Sequence, residues 1–425
     1  MERVGIGLLG HGTVGSGVAA LLREEAEEVR LATGKDVFLK RVLELPGFSH
    51  PELDAALVTH DLADVIGDPE IAIVVELIGG VEAAFGFQRR ALEAGKHVVT
   101  ANKQLLAQQG AVLLETADAH GVHLRFEASV CGAIPVIKVL RESLSAAEVS
   151  SIFGIVNGTT NYILSAMTQT GAHYDDVLGQ AQELGFAEAD PTEDVTGKDA
   201  AAKMAILASA GFHSRVTLAD VPYEGVVGVT AADIAHGRDL GLTLKLLGVA
   251  KLVDGKVNVR VYPAFLPSSH PLAGVSGGYN AVFLEGDSFD KIMLFGPGAG
   301  GRPTASAIIG DIISVVNTVQ TGFRNCTCYK ALPLASDDDI VSTFFLRMQV
   351  ADRPGVLAGL AAIFGDEQVS IRSVRQSGRG EEAELVMVLH PVTEAAFKRA
   401  LACVEALDVV HGRPSVIRVE GGYEG

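Results

Sequence analysis

The chain predicts an α/β protein with three parts. These are a doubly wound parallel sheet, an α+β middle, and a small C-terminal βαββαβ module. Three observations predict it. Gly10-His11-Gly12-Thr13-Val14-Gly15 stands between a strand-like and a helix-like run. Strand-like and helix-like segments then alternate to about residue 126. From Thr343 the order becomes strand, helix, two strands, helix, strand.

The first strand is expected over Arg3 to Leu9 and the first helix through Leu21 and Leu22. A G-x-G-x-x-G turn in that setting is the dinucleotide-binding fingerprint. Gly10 makes the tight turn, Gly12 admits a pyrophosphate, and Gly15 lets helix and strand pack closely. The free N–H groups of the helix start, where Thr13 and Val14 lie, then face phosphate. Val37 to Leu43 reads as a strand, and Ile71 to Ile78 as one buried on both faces. A helix over Glu82 to Ala94, a strand over His97 to Thr100, a helix over Gln104 to His120 and a strand over His123 to Phe126 follow. Such alternation argues a parallel doubly wound sheet, with ligands at the carboxyl ends of its strands. Lys103 stands just past one of those ends, either facing a ligand or solvated near a helix start. After the second strand, Glu44 could bind a ribose 2′-hydroxyl, whereas Lys40 and Arg41 could serve a 2′-phosphate. The residues leave NAD and NADP both open.

In the middle, Pro135 opens a helix to about Leu144, and strands are expected over Val149 to Val156, Lys256 to Ala264 and Ala281 to Glu285. Residues 296–306 read GPGAGGRPTAS. There Gly298 and Gly300 permit close backbone approach, and Pro303 starts a helix to Thr318. Residues 319–340 read as a linker. The terminal βαββαβ order is a ferredoxin-like split, structural or effector-binding.

Composition narrows the function. Across 425 residues, 34 basic and 52 acidic side chains leave a net charge of −18. No basic run offsets it, which argues against nucleic acid and anionic membrane as partners. No apolar run is long enough to span a bilayer. The first strand is expected so early that a removable leader has no room. Cys131, Cys326, Cys328 and Cys403 show no zinc spacing, and unpaired thiols suit a reducing, cytoplasmic setting.

The most informative stretch is 183–203, ELGFAEADPTEDVTGKDAAAK. Glu188, Asp190, Asp194 and Asp199 crowd a Pro-broken loop that runs into an apolar helix. Asp199 and Lys203 are spaced i,i+4 and share a face that Ile206, Leu207 and Ala210 continue. That spacing suits a surface ion pair, worth about 0.3–0.5 kcal/mol. It equally suits a lysine whose proton is used in acid–base chemistry, since burial lowers a lysine pKa toward the working range.

With these residues on the page, the chain resembles homoserine dehydrogenases that carry a C-terminal ACT domain. The matching stretches are GLLGHGTVGSGV, VVELIGG, VVTANK, EASVCGAIPV, GIVNGTTNYIL, ELGFAEADPTEDVTGKDAAAK and GPGAGGRPTASAIIGDI. The resemblance covers nearly the whole chain. It implies a Rossmann-type NAD(P)-binding domain (1–130), a catalytic and dimerisation domain (131–320), a linker (321–340) and an ACT regulatory domain (341–425). Lys203 is then the implied proton donor, and Lys103 lies near nicotinamide and substrate. Glu188 and Asp199 would hold the amino acid, with Asp194 in the same cluster. Gly10, Gly12, Thr13, Val14, Gly15, Lys103 and Gly300 would line the cofactor. Backbone oxygens of Glu127, Val130, Gly132 and Ile134 would bind sodium. The implied reaction is reversible NAD(P)H-dependent reduction of L-aspartate 4-semialdehyde to L-homoserine, on the route to threonine, methionine and isoleucine. A homodimer or homotetramer, with threonine as effector, is implied too.

Three positions depart from the family pattern. Cys131 replaces a small residue, Glu44-Leu45-Pro46 lacks an arginine common in NADP users, and Gln368 replaces an asparagine. The rival readings are another Rossmann amino-acid dehydrogenase and a catalytically inactive nucleotide- and amino-acid sensor. The first needs different residues in 183–203. The presence of Lys103 and Lys203 counts against the second.

Overall fold

The computed structural model describes residues 2–47, 52–318, 325, 327–378 and 383–422. Cys326 and residues 319–324 of the expected linker lie outside them. The chain forms two compact units, each assembled from separated segments. One comprises Met1–Val156, Ala200–Val221 and Tyr279–Ala331, the other Asn157–Asp199, Pro222–Gly278 and Leu332–Gly425.

The first unit is built on six strands: β1 (Arg3–Leu9), β2 (Asp36–Leu43), β3 (Val58–Thr59), β4 (Ile71–Glu76), β5 (His97–Thr100) and β6 (Leu124–Arg125). Their order is β3-β2-β1-β4-β5-β6, parallel at every pairing. This is the expected doubly wound sheet, with crossover order set by right-handed βαβ connections. Ile6, Leu8, Ile73, Val75 and Val99 form its core with Val18 and Leu22 of helix α1 (Thr13–Glu24). Ile308, Ile312 and Val315 of the helix Gly301–Thr318 join the same core. A segment some 290 residues downstream of α1 therefore covers this sheet. The contact is close at one glycine, since a Cβ on Gly17 would lie 3.0 Å from Gly301 O.

The first unit also contains three antiparallel strands. Ser151–Ile155 pairs with Tyr279–Gly286, which pairs with Asp290–Pro297. The last of these was not anticipated. The expected helix through Leu144 is instead a short α-turn, Val136–Lys138, followed by π-helical Val139–Ser143.

The second unit holds a long hairpin, Leu242–Val253 against Lys256–Pro267. Its two-residue turn is Asp254-Gly255, with φ of 49° and 76°. Asp-Gly with both φ positive is the turn that matches strand twist in a two-residue hairpin. The strand Leu242–Val253 was not anticipated, and that dipeptide is the signal that marks it.

The terminal βαββαβ module has the antiparallel order expected of a ferredoxin-like split. Val410–Val419 pairs with Val341–Val350, then come Ala383–Leu389 and Ile371–Ser377. Phe344, Leu346, Leu360, Phe364, Leu385, Met387 and Phe397 form its core. Gln368 takes a left-handed φ of 58°, a conformation asparagine enters more readily. Its Nε2 donates to Gly365 O at 3.1 Å.

This module is joined to the hairpin. Arg418 and Val419 pair in parallel with Ala264 and Phe265. The described residues of the expected linker are tied down as well. Val257 N donates to Pro333 O at 2.8 Å, Arg260 bonds Asp337 at 2.8 Å, and Lys256 bonds Asp339 at 2.5 Å. At the joint Glu394 is 1 % exposed. It accepts from Arg418 Nε and Nη2 at 2.8 and 2.9 Å and from Ser342 Oγ at 2.8 Å. Breaking a buried pair by removing one partner leaves an uncompensated charge. Glu394→Ala should therefore destabilise the folded chain by about 3–5 kcal/mol in urea unfolding. A loss under about 1 kcal/mol would mean that the buried guanidinium finds other partners.

Candidate active site

In the first unit the glycine-rich turn stands at the end of β1. Gly10 has φ 90°, and a Cβ on Gly15 would meet Gly10 O at 2.2 Å. The turn thus closes only without side chains, and Gly12 N-caps α1 in an extended conformation. Thr13 and Val14 open the helix, where its unpaired N–H groups and positive dipole end favour phosphate. Glu44, one residue past β2, accepts from His11 N at 2.9 Å and from Leu45 N at 2.9 Å. The two basic residues weighed beside it are engaged elsewhere. Lys40 pairs with Glu70, and Arg41 donates to Ala56 O at 3.2 Å.

At the carboxyl ends of β4 and β5 a buried network fixes the loop before Lys103. Glu76 is 0 % exposed. Its carboxylate accepts from Ile78 N, Gln88 Nε2 and Thr100 Oγ1 at 2.9, 2.6 and 2.8 Å. Asn102 N-caps the helix Lys103–Ala119 and donates to Gly80 O at 2.7 Å. Lys103 is therefore the first residue of a helix whose start is held from two strands, and it is half-buried.

Two further turns belong to this unit. Cys131 and Gly132 take consecutive left-handed φ values of 57° and 55°. A Cβ on Gly132 would stand 2.8 Å from Gly298 O, so this turn abuts the loop that holds Gly300, itself at φ 125°. Val130, Gly132 and Ile134 are buried and lie outside helices and strands, and the Ile134 carbonyl accepts from Val136 N at 2.8 Å. Below them the Glu127 side chain accepts from Ile137 N and Lys138 N, both at 2.8 Å. Burial, then the nearby Asp311, pushes the Glu127 carboxyl up to about 7.

The second unit places the acidic loop. Asn157 N-caps the helix Gly158–Thr170 through its Oδ1, and its Nδ2 donates to Asp194 Oδ1 at 2.7 Å and Asp199 Oδ2 at 2.9 Å. Thr159 Oγ1 donates to Asp194 Oδ2 at 3.2 Å. One amide thus joins two of the predicted carboxylates. Asp199 is 3 % exposed, whereas Glu188 is exposed. Asp190 serves its own turn, accepting from Thr192 N at 3.1 Å.

Asp199 lies in the first turn of the helix Lys198–Phe212, and Lys203 one turn on. Lys203 is half-buried and donates to Val156 O at 2.7 Å. It is not the dry lysine that the apolar face suggested.

The most buried lysine in this unit's motifs is one that the periodicity hid. Lys245 lies in the stretch of its strand where successive residues are all buried, at 3 % exposure. It donates to Val275 O and to Asn161 Oδ1, the latter at 3.2 Å. Asn161 in turn donates to Gly277 O at 2.9 Å. Burial lowers the Lys245 ammonium to about 8. The folded chain then binds fewer protons than the unfolded one between about pH 8 and the ordinary lysine pKa, so stability rises with pH in that window. Urea midpoints from pH 8 to 10 should climb in the parent chain and climb less in Lys245→Met. Equal slopes would sink this assignment.

Comparison with known proteins identifies the family. Residues 135–313 match the homoserine dehydrogenase family, 10–127 the homoserine dehydrogenase NAD-binding domain, and 344–409 the ACT domain. The chain is 44% identical to a homoserine dehydrogenase of Corynebacterium glutamicum, over 98% of this chain and 96% of that one. It is 40% identical to the Bacillus subtilis enzyme over 99% of each. A solved homoserine dehydrogenase from Thiobacillus denitrificans superimposes with a TM-score of 0.94 at 38% identity, covering 99% of both chains. A hyperthermophilic archaeal homoserine dehydrogenase, solved in complex with NADPH, matches 74% of this chain and 97% of its own at TM-score 0.63 and 27% identity. With that likeness running from the glycine-rich turn to the terminal module, the chain belongs to the homoserine dehydrogenase family.

Proposed function

We propose that this chain reversibly reduces L-aspartate 4-semialdehyde to L-homoserine, with Lys203 as proton donor and Asp199 and Glu188 as ligands of the substrate ammonium. The observation that carries the reading is the Asn157 amide. It holds the buried Asp199 carboxylate, four residues before Lys203 in the same helix, in a chain of this family. When bound, the nicotinamide cofactor supplies the hydride that reaches the aldehyde carbon. The aldehyde oxygen then gathers negative charge and needs a proton. An ammonium already hydrogen-bonded to Val156 O has a fixed direction and can give that proton without reorganising. Lys103, oriented by the Asn102 cap, supports the same oxygen directly or through water.

Asp199 cannot wander, because two elements hold it. Asp194 completes the anionic environment, and the exposed Glu188 is free to close on the ammonium. The glycine turn with Thr13, Val14 and Gly300 is the proposed cofactor seat. Glu44, already bonded to the turn, suits a ribose 2′-hydroxyl. The relative solved with NADPH supports the phosphorylated cofactor. Both therefore remain in the reading. Sodium is read at the backbone oxygens of Glu127, Val130, Gly132 and Ile134, since a hard monovalent cation suits buried carbonyl oxygens in a turn. The terminal module is read as an amino-acid effector domain, with threonine as effector, pairing in a dimer or tetramer.

Lys203→Ala should lower kcat by about 100-fold or more, the usual loss for a general acid. Near-normal turnover in a folded variant would remove Lys203 from that role. Glu188→Gln should raise the KM for homoserine while leaving the cofactor KM nearly unchanged, because only the ammonium contact is lost. An unchanged homoserine KM refutes the contact. Steady-state rates with NADH and with NADPH should both be measurable. Activity confined to one, at saturating levels of each, would end the dual-use reading.

A further inference from the structure

Residues 222–226 form an irregular strap, held on both sides within the second unit. On one side Glu224 N donates to Val261 O at 2.8 Å, and Val261 N to Pro222 O at 3.0 Å. On the other, Val226 N donates to Val195 O at 2.9 Å, one residue from Asp194. The two backbones touch there. A Cβ on Gly225 would lie 2.0 Å from Val195 O, and one on Gly197 would lie 3.0 Å from Glu224 O. The strap is thus pressed against the turn between Asp194 and Asp199 with no side chain between them.

Its outer end is keyed to the terminal module. Arg418 Nη1 donates to Glu224 Oε1 at 3.1 Å. Arg418 is in turn clamped by Glu394, and its guanidinium lies 4.5 Å from the Tyr262 ring centre. Tyr262 is 4 % exposed and donates to Glu420 Oε1 at 2.7 Å. A rigid, charge-paired joint therefore ends on one glutamate, whose backbone braces the acidic loop.

We propose that Glu224 and Gly225 are positioning residues for the amino-acid substrate. Through them the terminal module, by way of Arg418, sets where Asp194 and Asp199 stand. The proposal rests on the reading of Asp199 as an ammonium ligand. An ammonium contact made equally in ground and transition states changes KM and leaves kcat alone. Loosening the strap should therefore show as a KM effect specific to the amino acid.

The test compares full-length Glu224→Gln, Glu224→Asp, Gly225→Ala and Asp199→Asn with the parent. Homoserine KM, cofactor KM and kcat are measured alongside melting temperature. Glu224→Gln should raise the homoserine KM about 3- to 10-fold, with kcat and cofactor KM within about twofold of the parent. Glu224→Asp should recover part of that loss. Gly225→Ala should exceed it, because its Cβ has no room. The Glu224 side chain is 58% exposed, so Glu224→Gln decides the matter if Gly225→Ala does not fold. If Asp199→Asn raises the homoserine KM but Glu224→Gln leaves it unchanged, the strap is overturned and the ammonium site stands. If Asp199→Asn also leaves it unchanged, the underlying site reading is wrong and the strap falls with it. A parallel loss in kcat and both KM values for Glu224→Gln would mean general loosening, and it would equally overturn the proposal.

Discussion

A carboxylate taken out of water must be given donors in exchange, and the working parts of this chain are arranged around carboxylates buried under that rule. Glu76, Asp199 and Glu394 are each exposed by 3 % or less. Leaving any one unpaired would cost several kcal/mol. Each has therefore drawn donors from distant segments. Gln88 and Thr100 serve Glu76, Asn157 serves Asp199, and Arg418 with Ser342 serves Glu394. These bonds fix the loop before Lys103, the start of the helix that carries Lys203, and the joint of the terminal module.

The joint alters how the terminal module should be understood. A small βαββαβ unit behind a linker would be an appendage, removable without harm to the rest. Here its last strand continues a hairpin edge at Ala264 and Phe265, and Phe265 is 0 % exposed. Cutting the chain near residue 335 would bare that edge and strand Arg260 without Asp337. Point changes on exposed side chains such as Glu224 perturb the joint without baring that edge.

Burial also divides the lysines. Lys245 is sealed and spends its protons on Asn161 and a carbonyl, which holds the turn after residue 275. Lys203 and Lys103 are only half-buried, the first one turn into its helix and the second at the start of a helix capped by Asn102. A half-buried ammonium can meet a substrate, whereas a sealed one cannot. The division follows from access more than from charge.

Local chemistry determined much of this protein without help from the fold. The glycine turn between strand and helix, the apolar run 71–75 of β4 and the terminal βαββαβ order needed only spacing and periodicity. The family was legible in short motifs such as GKDAAAK and VVTANK. Pairing across long separations was not legible there. Nothing near residue 157 states that its amide will bridge Asp194 and Asp199, and nothing near residue 301 states that its helix will cover the first sheet. The strand Leu242–Val253 escaped because its apolar run suits several elements, although Asp254-Gly255 marks its end. Lys245 and Glu224 escaped because a single polar residue in an apolar or irregular stretch carries no period. Periodicity encodes which face of an element seeks the interior. Only tertiary structure decides which polar groups meet there, because their partners are chosen by distance in space and not along the chain.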